Sequence, residues 1–93
     1  MKIQYHGHLS QHITGQAADI QFASWNYDTY WQNAPWIRDN LPYDQFIFEH
    51  SSHAGNVWFH LSFNSAGNRG PGVPFKCCTM YRNNYDNGLK RYY

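Results

Sequence analysis

Two runs in the middle of the chain, "YDQFIFEH" (43–50) and "NVWFHLSFN" (56–64), constrain the fold more than anything else in it. Both are rich in aromatic and β-branched residues, which suit a pleated, half-buried surface. The link "SSHAG" is short and carries serines and a glycine, so the two strands can pair antiparallel. If Glu49 then faces Trp58, Ile47 faces His60, and Glu49 and His60 point to one sheet face. A slip of one residue would send Glu49 to the other face.

The flanking text fits around that pair. "MKIQYHG" reads as a short strand, "HLSQHITGQ" as a loop turning at Gly15, and "AADIQFA" as a strand with Ile20 and Phe22 on one face. "NYDTYWQNAPWIRDNL" is the helical region, with Asn26 able to cap its start. Pro35 predicts an interruption: one short helix over 27–33, then a second with Pro35 in its first turn, ended by Asn40 and Pro42. "SAGNRGPGVP" is loop by composition. "FKCCTMY" offers a last strand, but the region 70–93 as a whole is expected to be an irregular tail. The expectation is one α+β domain over 1–93: a small antiparallel sheet with one or two helices on one face.

Composition narrows the function. Ninety-three residues suffice for one small domain, and eighteen aromatics (8 Tyr, 6 Phe, 4 Trp) must supply much of the core. A net charge of +1 gives no electrostatic case for nucleic acid or an anionic membrane. Only "LKRYY" is locally basic and aromatic. No segment has the length of a membrane span. "MKIQYHGHLS" lacks the apolar run of a signal peptide, so synthesis in the cytoplasm is expected. Cys77 and Cys78 are adjacent, which disfavours a bond between them, and neither has zinc-knot spacing. They read as reduced thiols.

Three residues can be combined into a metal site. "SQHITGQAADI" places His12 before a turn and Asp19 in the strand after it, with Gly15, Ala17 and Ala18 leaving room. His60, mid-strand in "VWFHLSF", can supply a third ligand. Imidazole and carboxylate suit zinc, and a catalytic zinc keeps three protein ligands and one open position. Taken singly, His12 reads more often as a surface loop residue, Asp19 as a turn-capping carboxylate and His60 as a hydrogen-bonded strand histidine.

Together these blocks resemble a known family. Ser10, His12, Gly15, Ala17 and Asp19 fit the S-x-H-x-x-G-x-A-x-D signature of zinc D-Ala-D-Ala carboxypeptidases and their relatives. The later "YDQFIFE", "VWFHLSFN" and "NRG" look like the second block of a branch common in bacteriophage endolysins. The blocks run in the right order between Ser10 and Gly70. The resemblance implies a hedgehog/DD-peptidase-like fold and a zinc site made of His12, Asp19 and His60. It implies a peptidase that cuts peptidoglycan peptides containing D-amino acids, acting at the cell wall or packaged in a virion.

The chain departs from the family pattern twice. Many relatives carry a catalytic Glu or Asp three residues before the last zinc histidine, and here that position is Val57. Glu49 becomes the candidate general base; the alternative is a solvent-facing strand end. His50 and His53 are weaker substitutes, expected to be exposed in the loop. Relatives also place an arginine-bearing segment before the signature, where this chain has nine residues and no arginine. Arg69 is the candidate to take its role beside Ser10 in holding substrate, or the missing segment comes from another chain. Two readings stay open: an active zinc peptidase, and a catalytically degenerate zinc-binding domain serving as a virion structural or binding module.

Overall fold

A computed structural model describes residues 2–4, 16–53 and 55–93. In chain order the elements are β1 (Lys2–Gln4), β2 (Ala17–Gln21), α1 (Tyr27–Asn40), β3 (Gln45–His50), β4 (Val57–Ser62), β5 (Cys77–Tyr81) and β6 (Asn84–Asn87). The strands form one six-stranded sheet in the order β1-β2-β4-β3-β5-β6. The fold is α+β, with one helix packed on one face of a mixed sheet.

The sheet departs from the all-antiparallel expectation at one place: β5 runs parallel to β3. The chain leaves β4 beside the start of β3, where Gln45 pairs with Ser62. The other side of β4 is occupied by β2. Segment 63–76 therefore passes the start of β3, and β5 sets off in the same direction as β3. The passage is clipped by Asn68 Nδ2 to the Pro42 carbonyl at 3.1 Å and by Lys76 Nζ to the Tyr43 carbonyl at 2.6 Å. Arg69 holds Asp44, which is buried, through its backbone N–H at 2.8 Å and its guanidinium at 3.2 Å.

The helix is one element and not two. Asn26 caps it as expected, accepting from Thr29 N–H at 2.9 Å. Pro35 sits inside without ending it. An interior proline costs about 3 kcal/mol. Against that, Tyr30, Ala34 and Ile37 lie at i, i+4 and i+7 and are all buried. Burying side chains such as Tyr30 and Ile37 contributes roughly 2 kcal/mol each. A break at Pro35 would forfeit the second half of that face. The helix closes at Asn40, with the Leu41 N–H donating to the Ile37 carbonyl at 3.2 Å.

The core is aromatic. Phe46, Phe48 and Phe59 are fully buried between sheet and helix. Phe59 is the hub, edge-to-face with Tyr30 and with Phe46, each at 5.2 Å between centroids, and with Phe48 at 5.7 Å.

The stretch from 70 on is not an irregular tail. β5 and β6 form a hairpin in which Tyr81 pairs with Asn84. Its two turn residues, Arg82 and Asn83, have φ of 51° and 63°. Two positive φ values in a two-residue loop match the twist of the flanking strands. The density of Asn and Asp in "RNNYDN" reads as loop, yet β6 is an edge strand with little to bury, so polar residues fit it. Among the described residues no helix is long and apolar enough to cross a membrane.

Candidate metal centre

The register of β2, β4 and β3 builds the site. Asp19 lies directly opposite His60, and His60 directly opposite Ile47. Cross-strand partners share a face, so these side chains form a row on the side of the sheet away from α1. Cys78 and Asn87 continue that row through β5 and β6. The neighbouring row runs Trp58, Glu49, Met80, Tyr85.

His60 Nδ1 and Asp19 Oδ1 are 3.0 Å apart. Their side chains are only 15% and 10% exposed. At that separation a protonated Nδ1 donates to the carboxylate. The same separation suits two ligands of one ion: atoms about 2.0–2.1 Å from a tetrahedral zinc lie roughly 3.3 Å from each other. Both donors are of the type zinc takes, and paired strands hold both backbones. His12 and Ser10 lie outside the described residues. Among the described residues no three His, Cys, Asp or Glu side chains gather to hold a metal. The described part of the centre is thus a two-donor pair.

Glu49 shares this face. Its partner is Trp58, one row from His60, which makes Glu49 and His60 diagonal neighbours with Cβ atoms about 7 Å apart. The slip that would turn Glu49 away is prevented by its own strand. It would pull Phe46 and Phe48, both fully buried, out of the core. Val57 points the other way. It pairs with His50, is 3% exposed and belongs to the aromatic core. A carboxylate at that position would face the core and not Asp19 and His60.

Arg69 anchors the 63–76 segment to Asp44 while its side chain stays about 40% exposed. Burial pushes the Cys78 thiol up to about 12, Cys77 and Glu49 add to that, and Arg69 opposes it. Tyr85 is likewise raised, first by burial and then by Glu49. Cys77, on the helix side, is pushed up to about 11 by burial. Both thiols are free, as expected of reduced cysteines, and both stay protonated near neutral pH.

His50 corrects the expectation of an exposed loop histidine. It ends β3, is 1% exposed and faces the helix, so it cannot substitute for Glu49. His53 is exposed in the turn, its N–H donating to Ser51 Oγ at 2.9 Å. Trp58 lies opposite Glu49, as the expected pairing has it; sequence reasoning passed over Gln45 and Tyr85 as members of this face, although alternation counted from Glu49 puts Gln45 on it. The Trp58 indole N–H is buried without a hydrogen-bond partner among the described residues. Comparison with known proteins found no matching family model and no significantly similar curated protein or solved structure.

Proposed function

We propose that this chain is a zinc-dependent peptidase that cleaves peptidoglycan peptides containing D-amino acids. The observation that carries the reading is the direct opposition of Asp19 and His60, with donor atoms 3.0 Å apart, on the face that also bears Glu49. The substrate class comes from the resemblance of "SQHITGQAAD" and the later block to zinc D-Ala-D-Ala carboxypeptidases. The same reading takes the helix-backed sheet as a small version of the hedgehog and DD-peptidase fold.

In this proposal Asp19, His60 and His12 hold the zinc. When bound, zinc supplies a Lewis acid that polarises a peptide carbonyl and makes water a nucleophile at neutral pH. Glu49 takes the proton of the attacking water and passes it to the leaving amine. Ser10 and Arg69 hold the substrate, Arg69 with the side of its guanidinium not used on Asp44. The enzyme acts at the cell wall or travels in a virion. A second reading, a zinc-binding module without catalysis, is favoured by one observation. Val57, at the position where many relatives keep the proton carrier, is apolar and turned into the core.

The test uses the purified chain, zinc stoichiometry by elemental analysis, and digestion of peptidoglycan read by mass spectrometry of the released peptides. Wild type is expected to carry one zinc and His60→Ala to lose it. Glu49→Gln is expected to keep the metal and cut at least about a hundredfold more slowly. A zinc-loaded wild type that releases no peptide selects the binding module. A wild type that takes up no zinc removes both readings.

A further inference from the structure

Residues 89–93 form a strap over the helix side of the sheet. After β6 the chain turns at Gly88, where φ is 85°, and crosses back over β5. The Lys90 N–H donates to Thr79 Oγ1 at 2.8 Å, and that hydroxyl donates to the Gly88 carbonyl at 2.9 Å. Leu89 packs on the aromatic core. Tyr92 stacks on Tyr81, with centroids 4.3 Å apart and planes within 3°. Tyr93 sits edge-on to Tyr27 at 5.6 Å and donates its hydroxyl to the Ser51 carbonyl at 3.3 Å.

Beneath this strap lies the His50 ring, 4.5 Å from Phe48 and 5.4 Å from both Tyr27 and Tyr92. Its hydrogen bonds specify one tautomer. Nδ1 is 3.2 Å from the Met80 carbonyl, which can only accept, so Nδ1 carries the hydrogen. Nε2 then accepts from the Tyr27 hydroxyl at 2.7 Å. The Tyr27 oxygen in turn accepts the Tyr92 N–H at 3.0 Å. One continuous chain runs from the strap through the helix to β3 and β5.

That chain has a single polarity. A proton on Nε2 confronts the Tyr27 O–H with another donor, and the hydroxyl hydrogen must leave its acceptor. The surroundings offer the new charge little. Val57 faces His50 from β4 and Phe48 from β3, both apolar. Tyr81 of β5 and Tyr93 of the strap are neutral. Two cations are near: Arg91 lies over the Tyr27 ring at 5.1 Å and Arg82 over the Tyr81 ring at 5.2 Å. The nearby carboxylates are committed, Asp28 to Arg91 and Asp86 to the Tyr92 hydroxyl. Burial lowers the affinity of His50 for a proton, more than its backbone hydrogen bonds raise it.

We propose that His50 is an acid-operated latch: neutral, it holds residues 89–93 against β5 and α1, and protonated, it releases them while the sheet and helix stay folded. Release opens His50 to water and uncovers the aromatic surface of Tyr27, Phe48 and Tyr81. The sign follows from the lowered pKa. The released strap leaves a histidine that binds a proton more readily, so latching is at full strength above about 6.5 and weakens as pH falls through the lower, latched value. The inference stands independently of the proposed peptidase activity.

Nuclear magnetic resonance of the intact chain from pH 8 to pH 4.5 tests it. The His50 ring is expected to titrate below 6.5. The Tyr92 amide shift and the Tyr81–Tyr92 ring contacts are expected to be lost at the same midpoint, with Phe59 and the β4 amides unmoved. Strap signals that persist through the His50 titration overturn the proposal. So does loss of strap and core together, which is ordinary acid unfolding. Tyr27→Phe keeps the ring and removes the hydroxyl. It is expected to free the Tyr92 amide at pH 8 and move the His50 midpoint up towards 6.5, and an unchanged strap in that variant is equally fatal.

Discussion

Replacing Phe59 by alanine tests the core that positions the candidate site. Phe59 is fully buried and lies against Tyr30, Phe46, Phe48, Trp25 and Phe22. Deleting the ring forfeits about 2 kcal/mol of transfer free energy. It also leaves a cavity of up to roughly 100 Å³, which at about 24 cal/mol per Å³ costs about 2.4 kcal/mol more. The rings around the gap belong to helix and sheet alike, so neither can collapse into it alone. The sum, about 4–5 kcal/mol, is a large part of the roughly 5–14 kcal/mol available to a chain of this length. Urea unfolding followed by tryptophan fluorescence reads it directly, because Trp25 packs on the missing ring. With a slope near 1–2 kcal/mol per molar urea, the midpoint is expected to fall by about 2–5 M. Phe59→Leu, which refills most of the space, is expected to lose about 1.5 kcal/mol. Trp36→Ala, at an exposed site, is expected to stay within about 1 kcal/mol of wild type. A Phe59→Ala loss below 1.5 kcal/mol would falsify the assignment of Phe59 as the hub.

Pro35→Ala restores an N–H inside α1 and is expected to stabilise the chain by about 1–3 kcal/mol in the same urea assay; destabilisation would mean that the proline ring is needed where it packs. Burial holds Cys77 near 11 and Cys78 near 12, so the stability they contribute is intact below about 9 and is lost as pH rises through 9 towards those values. At pH 8 the folded chain is therefore expected to react with iodoacetamide at least about tenfold more slowly than the urea-unfolded chain, and equal rates refute the burial. If Asp19 and His60 hold zinc in the native state alone, free zinc at a hundred times its dissociation constant raises stability by about 2.7 kcal/mol, an effect His60→Ala is expected to abolish. A zinc-dependent melting shift that survives in His60→Ala contradicts the ligand assignment.

What the sequence made legible follows from what a one-dimensional pattern can carry. The two strands and their antiparallel pairing were legible, but the register stayed open to a slip; it is settled by Phe46, Phe48, Phe59 and Leu61 all facing the core, which leaves Glu49 and His60 on the other face. The Asn26 cap was legible because its signal is local. The unbroken helix was not. Propensity speaks of Pro35 by itself, whereas Tyr30, Ala34 and Ile37 act through a tertiary contact absent from the local text. The parallel placement of β5 was hidden for the same reason, since it depends on β2 already occupying the far side of β4. β6 was hidden by its composition: an edge strand with one exposed face reads as loop until the Arg82–Asn83 turn is seen with its positive φ values. The joining of Asp19 and His60 came from the resemblance, whereas their direct opposition depends on β2 pairing with β4, which no local pattern announces. The roles of Ser10 and His12 rest on the sequence resemblance, as both lie outside the described residues.

The question of the proton carrier reduces to parity. In a continuous strand, residues an even number apart share a face and residues an odd number apart do not. A carboxylate three positions before a ligand histidine can therefore work beside the metal only where the strand has not yet begun or is bulged. Here β4 begins at Val57 itself, and the pairing of Val57 with His50 commits it to the core face. With that register a carboxylate at 57 would be spent among Phe48, Phe59 and His50. Among the described strands, a group able to serve Asp19 and His60 comes from an even position on β4 or from the matching row of a neighbour. On β4, position 58 is Trp and position 62 is Ser. On β3 the matching positions are Gln45, Ile47 and Glu49, and of these Glu49 alone can accept a proton near neutral pH. Valine at 57 thus suits the core face that the register gives it, and the choice between catalysis and bare metal binding turns on Glu49. If the chain binds zinc as proposed, Glu49→Gln with the zinc content unchanged decides whether the carboxylate on the right face does the work.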